Sequence, residues 1–358
     1  MVKFRKAHLV LAPDNRSWII EKMAARIAEY APAFGFEVSV GDAEDSHADV
    51  NHWMSYAFAN VPHNTPATML ITHLDDPYKV GLVKRELTSG VDVGIALSSH
   101  TCDMLVAAGV SEASLAFAVP GHDFAAEPRR IVIGLTTRLY ADGRKRESML
   151  VDMARSMRLD RFRFEIFGLG WEEVIPLLEA AGAEVDYWPG TSDFRADYVE
   201  MMARVPAFDY YLYLGRDEGS LGTLDALAAG VKTIITPQGF HVDLPCGITH
   251  AIWSQEELEA VFRDLAAEVD CRAGAVKDLT WQAYAEAHTI IWHAIIDGRI
   301  GEIAGLLAAH RGHRSREVAP VSEGRTTMLR RLASPYRIRS ALSHLPLLKP
   351  VRAWVKGR

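Results

Sequence analysis

The sequence contains little cysteine, no long apolar run and no internal repeat. Three cysteines in 358 residues, Cys102, Cys246 and Cys271, are too few and too scattered for a disulfide framework or a zinc site. No stretch approaches the roughly 18 consecutive apolar residues that a membrane-spanning helix requires. The amino-terminal segment lacks the apolar core and small-residue cleavage site of a secretory signal. These absences lead us to expect a reduced, cytoplasmic protein.

Charge is distributed unevenly along the chain. The net charge is −7, but residues 313–358 contain eleven Lys and Arg against two Glu, a net charge of +9. The other 312 residues therefore carry −16. Such a division predicts a separate partner for the basic tail. Nucleic acid is not expected as that partner, because the body is acidic and no recognition module is visible.

Residues 326–358 interleave cations with Leu, Ile, Val and Trp354. Basic amphipathic segments of this composition lie on anionic membrane surfaces. The alternative is a tail that packs on the acidic body or stays disordered in water. The sequence leaves both alternatives open.

Apolar runs alternate with segments of helical period, which is typical of βα units around parallel sheets. The first series of strands closes near residue 125, and a second series begins at residue 131. The pattern predicts two αβ domains in tandem, over 1–125 and 130–280, with a cleft between them. The apolar stripe of 281–300 predicts a long helix that packs across both domains. It opens a crossover region over 281–312, before the tail at 313–358.

The most informative turn joins a predicted strand over 209–214 to a predicted helix over 223–229. It contains two carboxylates and a glycine-rich sequence. A turn of this kind at a helix N-terminus offers free backbone N–H groups to an anion. A glycine-rich turn can also merely connect a strand to a helix, and an acidic residue near a helix start complements the helix dipole. The residues concerned are Glu218, Gly219, Ser220, Leu221, Gly222 and, one turn into the helix, Asp225.

This segment resembles the acidic signature of GT-B glycosyltransferases of family 4, commonly Glu-Gly-x-Gly followed by Glu-Ala-x-Ala-x-Gly. Asp225-Ala-Leu-Ala-Ala-Gly230 matches the second half, with Asp in place of Glu. Glu218-Gly219 matches the first half but lies seven residues before Asp225. The family spacing is eight, which selects Asp217. We favour Glu218 as the first acidic residue of the signature because a glycine follows it, and Asp217 stays as the alternative.

Two further matches lie in the second predicted domain. Thr137-Arg138-Leu139 followed by Gly143-Arg-Lys-Arg146 resembles the family's Gly-Arg-Leu…Lys pattern, which implies that Arg138 and Lys145 grip the donor diphosphate. Two cations would stabilise a pyrophosphate leaving group as its bond breaks. Phe167-Gly-Leu-Gly-Trp171 resembles the strand-end Gly-x-Gly turn near the nucleotide, which implicates Gly168 and Gly170.

The first predicted domain carries weaker matches. Ile71-Thr-His-Leu-Asp75 resembles the family's Val-His-Asp strand end, which implies that His73 lies near the reacting carbon and Asp75 on the acceptor side. His52 is a second histidine expected at a strand end facing the cleft, although such histidines are often structural. The first loop lacks the family's Gly-Gly turn. We therefore expect Asn15, Arg16 and Ser17 to contact the acceptor with their side chains.

The resemblance implies an α/β protein of GT-B type, with two Rossmann-like domains facing a central cleft and a carboxyl-terminal helix crossing between them. The implied activity is retaining transfer of a sugar from a nucleotide-diphosphate sugar to a glycan or lipid-linked glycan, as in bacterial surface-polysaccharide synthesis. The basic tail suggests a peripheral place on the inner face of the cytoplasmic membrane.

Two other functions remain open, a GT-B-like nucleotide-sugar epimerase and a non-catalytic scaffold. Asp75-Asp76 is not the metal-holding Asp-x-Asp of the other large glycosyltransferase fold. No other cluster of metal ligands is visible, so we expect catalysis without a metal or another cofactor.

Overall fold

The first half of the chain forms one parallel sheet. The structure, a computed structural model, describes residues 4–16, 18–59, 63, 65–124, 127–191 and 193–314. The strands of the first sheet are β1 (Arg5–Val10), β2 (Phe36–Gly41), β3 (Val50–Trp53), β4 (Ala67–Ile71), β5 (Val93–Ala96) and β6 (Leu115–Phe117). They pair in the order β2-β1-β3-β4-β5-β6. The helices between them are α1 (Ile19–Tyr30), α2 (Pro77–Ser89) and α3 (Ser99–Ala107).

A second parallel sheet follows. Its strands are β7 (Ile131–Thr136), β8 (Phe162–Phe167), β9 (Glu184–Trp188), β10 (Tyr210–Tyr213), β11 (Lys232–Ile235) and β12 (His250–Ala251). They pair in the order β12-β11-β10-β7-β8-β9. The accompanying helices are α4 (Ser148–Ser156), α5 (Ile175–Ala180), α6 (Phe194–Arg204), α7 (Leu221–Ala228) and α8 (Gln255–Val276). Beyond them lie α9 (Trp281–Ile296) and α10 (Ile303–Arg314).

Both sheets have the strand order of doubly wound folds. Counted from its own first strand, the second sheet runs 3-2-1-4-5-6, the order of a dinucleotide-binding domain, and the first runs 2-1-3-4-5-6. In such sheets the crevice for a ligand opens where the order reverses, outside the carboxyl ends of the strands. These points lie between β7 and β10 and between β1 and β3. The α/β class and the two Rossmann-like domains are confirmed.

The central strands of each sheet are buried on both faces, which explains their nearly continuous apolar sequences. Leu9, Val50 and Ile95 lie in the core of the first domain. In the second domain Phe262 of α8 packs against Phe162 of β8, with ring centroids 4.7 Å apart. Burying a side chain of this size contributes about 1.5–3 kcal/mol. The predicted strands 131–136 and 162–167 match β7 and β8 residue for residue.

The long helix α9 differs from our expectation that it packs across both domains. Its buried side chains, Tyr284, Ile291 and Trp292 among them, belong to the core of the first domain. Trp292 Nε1 donates to Thr68 Oγ1 on β4 over 3.2 Å. The chain returns from the second domain just before α9, where the His122 N–H donates to Leu279 O over 3.1 Å. Burial of an apolar stripe requires only one apolar surface. Here the first domain provides that surface for α9.

Two sequence expectations concern the rest of the chain. In the part of the chain that the structure describes, no helix is both long enough and apolar enough to cross a membrane. The basic segment 326–358 lies outside the described residues, so its contact with a membrane stays a prediction. The domain limits 1–125, 130–280, 281–312 and 313–358 also stay predictions.

Candidate active site

The informative turn of the sequence lies at the reversal point of the second sheet. Thr136 is the last residue of β7, and its Oγ1 is 2.9 Å from the Tyr211 hydroxyl on β10. The Tyr211 hydroxyl is in turn 2.7 Å from Ser220 Oγ. Three buried or half-buried hydroxyls thus connect the ends of β7 and β10 to the start of α7. The crevice expected from topology and the turn expected from sequence coincide.

The start of α7 has the properties of an anion site. Ser220 is the N-cap residue, but its side chain makes no capping bond because it is bonded to Tyr211. The amides of the first helical turn have no intrahelical carbonyl to donate to. A Cβ on Gly222 would overlap Thr136 Oγ1 and lie 2.5 Å from the Tyr211 hydroxyl. Glycine therefore lets the start of α7 reach the end of the sheet.

Lys145, Tyr213 and Asp217 form a compact charged cluster beside this turn. Lys145 Nζ donates to Asp217 Oδ2 over 2.6 Å and to the Tyr213 hydroxyl over 2.7 Å. The Tyr213 hydroxyl donates to the other Asp217 oxygen, and the Gly219 N–H reaches the same oxygen over 3.2 Å. The lysine ammonium is thereby held at the carboxyl end of β10.

The contacts of this cluster determine the pKa of its members. Burial by itself would raise the pKa of Asp217, but the hydrogen bonds from Lys145 and Tyr213 outweigh burial and hold that pKa below its ordinary value. Burial raises the pKa of Tyr213, and the hydrogen bond to Asp217 raises it further. The phenol is therefore protonated and the carboxylate ionised at neutral pH.

A pocket of about 610 Å³ opens at the carboxyl ends of β7, β8 and β9. Thr136 and Arg138 line one side, and Gly168 lines the floor between strands. Gly168 has a φ of 121°, and a Cβ there would come within 2.8 Å of Thr137 O. Gly170, with a φ of 96°, would meet Leu139 Cβ at 3.0 Å. The Gly-x-Gly turn thus lets two loops close against each other at the edge of this pocket.

Aromatic side chains form much of the pocket wall. Phe167 and Trp188 stack with ring centroids 4.5 Å apart and planes 6° from parallel. The carboxylate of Asp197 accepts from the Thr191 amide over 2.6 Å and faces Thr191 Oγ1 at 3.0 Å. A largely apolar pocket with few polar groups is the usual form of a small-molecule site.

The remaining predicted residues of the second domain fall near these features. Arg138 is exposed at the pocket rim, with its guanidinium 5.7 Å from the Tyr140 ring centroid. Asp225 is half-buried on α7, close enough for its charge to raise the pKa of Tyr211, whose shift comes mainly from burial. Glu218 is exposed, and its carbonyl accepts from the Phe240 N–H over 3.1 Å. Asp217, rather than Glu218, is the acid that contacts Lys145.

The sequence analysis missed the tyrosines and the histidine behind the site. Tyr211, Tyr213 and His241 each bond to the 217–223 turn or to Lys145. Alternating tyrosines in Tyr210-Tyr-Leu-Tyr213 were a usable signal, because alternate residues of a strand face the same side. His241 had no such signal, since it lies 21 residues from its partner Ser220.

A second pocket, of about 670 Å³, lies at the reversal point of the first sheet. It brings together residues that the sequence places far apart, including Asn15 after β1, Ser55 after β3 and His73 after β4. Thr72 and His122 line it as well. Asn15 and His73 are thus placed together, as expected for one acceptor site. His73 is exposed, with Nδ1 3.0 Å from Thr72 Oγ1.

Other predicted acceptor residues are placed differently. His52 is fully buried in the first domain, where Nδ1 is 2.8 Å from Thr68 Oγ1 and the ring is 5.1 Å from that of His288. This corrects the expectation that it faces the cleft, because β3 is covered by α9 at this point. Asp75 forms an exposed ion pair with Lys79 instead of lining the pocket. Arg16 is exposed outside the pocket lining, and Ser17 lies outside the described residues.

No group of three or more His, Cys, Asp or Glu side chains that could hold a metal ion is present among the residues that the structure describes. Catalysis without a metal stays a prediction.

Comparisons with protein-family models and with curated proteins found no match for this chain. Solved structures similar to it include Anabaena Alr3699/HepE in complex with UDP-glucose, at 13% identity over 85% of this chain and 99% of that chain, with a TM-score of 0.30. The lipopolysaccharide outer core galactosyltransferase WaaB is 12% identical over 84% of this chain and 99% of that chain, with a TM-score of 0.33. A putative UDP-N-acetylglucosamine 2-epimerase from Listeria monocytogenes is 10% identical over 82% and 97%, with a TM-score of 0.32.

Proposed function

We propose that this chain is a GT-B glycosyltransferase that transfers a sugar from a nucleotide-diphosphate sugar to a hydroxyl acceptor. The observation that carries the proposal is the site at the β7–β10 reversal point. There a held lysine lies beside the turn that opens α7. Thr136 faces the start of α7 and also lines the 610 Å³ pocket. The lysine and the helix amides suit a diphosphate, and the pocket suits the nucleoside. The resemblance of 218–230 to the family 4 signature supports the same interpretation.

We assign the donor contacts from the resemblance to the family signature and from the position of these residues around the site. Lys145 and Arg138 bind the diphosphate, and the 219–222 turn offers it backbone amides. Asp225 accepts hydrogen bonds from the ribose. Glu218 contacts the sugar, with Asp217 as the alternative. Because Lys145 is already held by Asp217 at 2.6 Å, its charge is in place before the donor arrives, which lowers the cost of ordering it on binding.

The acceptor binds the first-domain pocket, where His73 and Asn15 lie together. Transfer breaks the bond between the anomeric carbon and the β-phosphate oxygen and forms a bond to the acceptor oxygen. The departing phosphate takes the acceptor proton and leaves as nucleoside diphosphate, stabilised by Arg138 and Lys145. By resemblance the reaction retains the anomeric configuration. The acceptor is a glycan or lipid-linked glycan of surface-polysaccharide synthesis.

A donor panel tests the proposal. Sugars of UDP, GDP, ADP and dTDP are incubated with the protein, and released nucleoside diphosphate and the thermal shift are measured. One donor is expected to stabilise the wild type, and Arg138→Ala to abolish that shift. Arg155→Ala is the matched control, because Arg155 is an exposed arginine of α4 outside the pocket lining. No shift with any donor, together with no effect of Arg138→Ala, would contradict enzymatic function and leave a scaffold.

Kinetic measurements on variants distinguish the roles of the two carboxylates, Asp217 and Glu218. Asp217→Asn is expected to raise the KM for donor roughly tenfold, because Lys145 loses a charge-assisted hydrogen bond. Glu218→Gln is expected to lower kcat on the order of a hundredfold, as when one stabilising contact to a transition state is removed. A loss of kcat in the Asp217 variant alone would transfer the sugar contact to Asp217.

The epimerase alternative predicts a different product. An epimerase converts the nucleotide sugar without an acceptor, whereas a transferase needs a second substrate. The 670 Å³ pocket of the first domain favours transfer, because it offers room for that substrate. Analysis of the nucleotide sugar after incubation without acceptor distinguishes the two. An altered sugar stereocentre would identify an epimerase.

A further inference from the structure

Residues 238–241, the bracing segment, lie against the acidic turn that follows β10. Gln238 Nε2 donates to Asp217 O over 2.7 Å, and the Phe240 N–H donates to Glu218 O over 3.1 Å. The Ser220 N–H donates to His241 Nε2 over 3.0 Å. Three backbone groups of the turn are therefore held by one short segment that comes from the end of β11.

The close approach of the two segments depends on two glycines. Gly239 has a φ of 55°, and a Cβ there would overlap the Glu218 carbonyl. Gly219 has a φ of 113°, and a Cβ there would lie 3.0 Å from His241 Nε2. Side chains at either position would separate the bracing segment from the turn. The two glycines thus let the backbones of the turn and the bracing segment approach closely enough for these hydrogen bonds to form.

The hydrogen bonds of His241 define its tautomer. A backbone amide can only donate, so Nε2 must be the unprotonated acceptor. The Thr223 hydroxyl, 3.0 Å away, can donate to the same nitrogen. The proton then lies on Nδ1, which donates to Thr236 O over 3.3 Å. His241 is fully buried, and each of its ring nitrogens has a partner in the neutral form.

We propose that His241 is a positioning residue that holds the 217–223 turn in the shape that binds the donor diphosphate. The proposal rests on the function proposed above. By accepting from the Ser220 amide and the Thr223 hydroxyl, the imidazole fixes both ends of the first turn of α7. A doubly protonated ring would set an N–H against the Ser220 N–H, and the turn would lose its support.

The surroundings of His241 favour its neutral form near neutral pH. Burial lowers its pKa, against the opposing influence of the Thr236 carbonyl contact and of the Asp217 charge. Tyr213 of β10 presents its ring at 5.5 Å, and Arg146 bonds to Thr236 from the β7–α4 loop. Asp225 is the charged residue of α7. The turn should therefore keep its shape at pH 7 and lose it in acid.

Substitutions at His241 test the proposal with UDP, GDP, ADP and dTDP as probes, followed by calorimetry with the diphosphate that binds wild type. His241→Phe keeps a ring and removes both hydrogen bonds. We expect it to weaken binding at least about fivefold at pH 8, the size expected for losing one or two net hydrogen bonds. His241→Gln can place its Oε1 near the position of Nε2, and it should bind within about threefold of wild type.

The pH profile separates positioning from mere packing. As the pH falls below 6.5, wild type should lose affinity beyond the loss of His241→Gln, because the lowered pKa of His241 places its protonation there and glutamine does not titrate. His288→Phe is the matched control, a buried histidine replaced in the core of the first domain, and it should bind like wild type at pH 8. Thermal unfolding of each variant confirms that it is folded at the temperature of the assay.

Three outcomes would overturn the proposal. Binding by His241→Phe within threefold of wild type, while Arg138→Ala abolishes it, would refute the role of His241 and leave the proposed function standing. Equal pH profiles for wild type and His241→Gln would refute the role of the neutral tautomer. Failure of all four diphosphates to bind wild type would refute the proposed function and this inference with it.

Discussion

At the scale of single residues, the proposed donor site contains one position, Gly222, where only glycine fits. Gly222 lies between the Thr136 and Tyr211 hydroxyls at the start of α7. An added methyl group would push α7 away from the sheet and would disturb the contact of Tyr211 with Ser220. Gly222 lies between the two halves of the sequence signature, Glu218-Gly219 and Asp225–Gly230, so its packing explains a glycine that the signature itself does not require.

Gly222→Ala should therefore weaken donor binding at least about tenfold and destabilise the fold by about 1–3 kcal/mol, the usual cost of overpacking. Both effects are measured by donor titration and urea unfolding. Gly274→Ala in α8 is the control, because a Cβ there meets nothing within 4 Å and alanine favours helix by up to about 1 kcal/mol. Equal behaviour of the two variants would refute the close approach at Gly222.

At the scale of elements, α9 carries a buried polar cluster into the first domain. His288 Nδ1 is 2.8 Å from Tyr284 O, and the His288 ring is 5.1 Å from that of His52 on β3. Burial lowers the pKa of His288 to about 4. Burial also lowers the pKa of His52 well below its ordinary value, with a further contribution from His288. Both imidazoles are therefore neutral in the folded protein at neutral pH.

Docking of α9 should therefore weaken in acid. The unfolded chain takes up protons near pH 6.5, whereas the folded chain resists protonation until about pH 4 at His288. The stabilisation is complete above pH 6.5 and is lost as the pH falls, by about 1.4 kcal/mol per pH unit for each histidine. Urea unfolding at pH 7.5 and pH 5.5 measures the slope.

His288→Phe should reduce that slope, since phenylalanine does not titrate. His100→Phe, at an exposed histidine of α3, should leave the slope of wild type unchanged. An unchanged slope in the His288 variant would mean that other groups govern acid unfolding.

At the scale of the whole molecule, the distribution of charge divides the chain into an acidic body, residues 1–312, and a basic segment, residues 313–358. The acidic body holds both proposed substrate sites, and the segment 313–358 carries +9. A basic segment with Trp354 and several leucines is suited to an anionic bilayer.

Neutralising the tail tests this attachment. Replacing Arg330, Arg331, Arg337 and Arg339 with Gln should lower partitioning onto phosphatidylglycerol vesicles by roughly two to three orders of magnitude, at about 1 kcal/mol per cation. Donor binding, measured by thermal shift, should persist in solution. Undiminished vesicle binding would contradict membrane attachment through the tail.

A matched change elsewhere controls for net charge. Replacing Arg155, Arg158, Arg263 and Arg272, four exposed arginines of the second domain, removes the same charge from the body. Vesicle binding by this variant should resemble that of wild type, because the effect belongs to the tail and not to the total charge.

The sequence by itself determined the α/β class, most strand positions and the turn at 217–222. Strands buried on both faces of a parallel sheet must be continuously apolar, so β7 and β8 could be predicted to the residue. The glycines of the turns could also be recognised from the sequence, because no other residue type fits where two backbone segments approach so closely. The apolar stripe of α9 could likewise be predicted from the sequence.

Only the tertiary structure decided which partners these features have. The apolar stripe of α9 predicts that one side of the helix is buried, but it does not predict that the first domain buries it. A strand histidine has the same sequence signal whether it is covered, as His52 is, or exposed at a pocket. The pairing of Lys145 with Asp217 joins positions 72 residues apart, and that of His241 with Ser220 joins two βα units. Such contacts are set by how the chain winds around the sheet, and no local pattern encodes them.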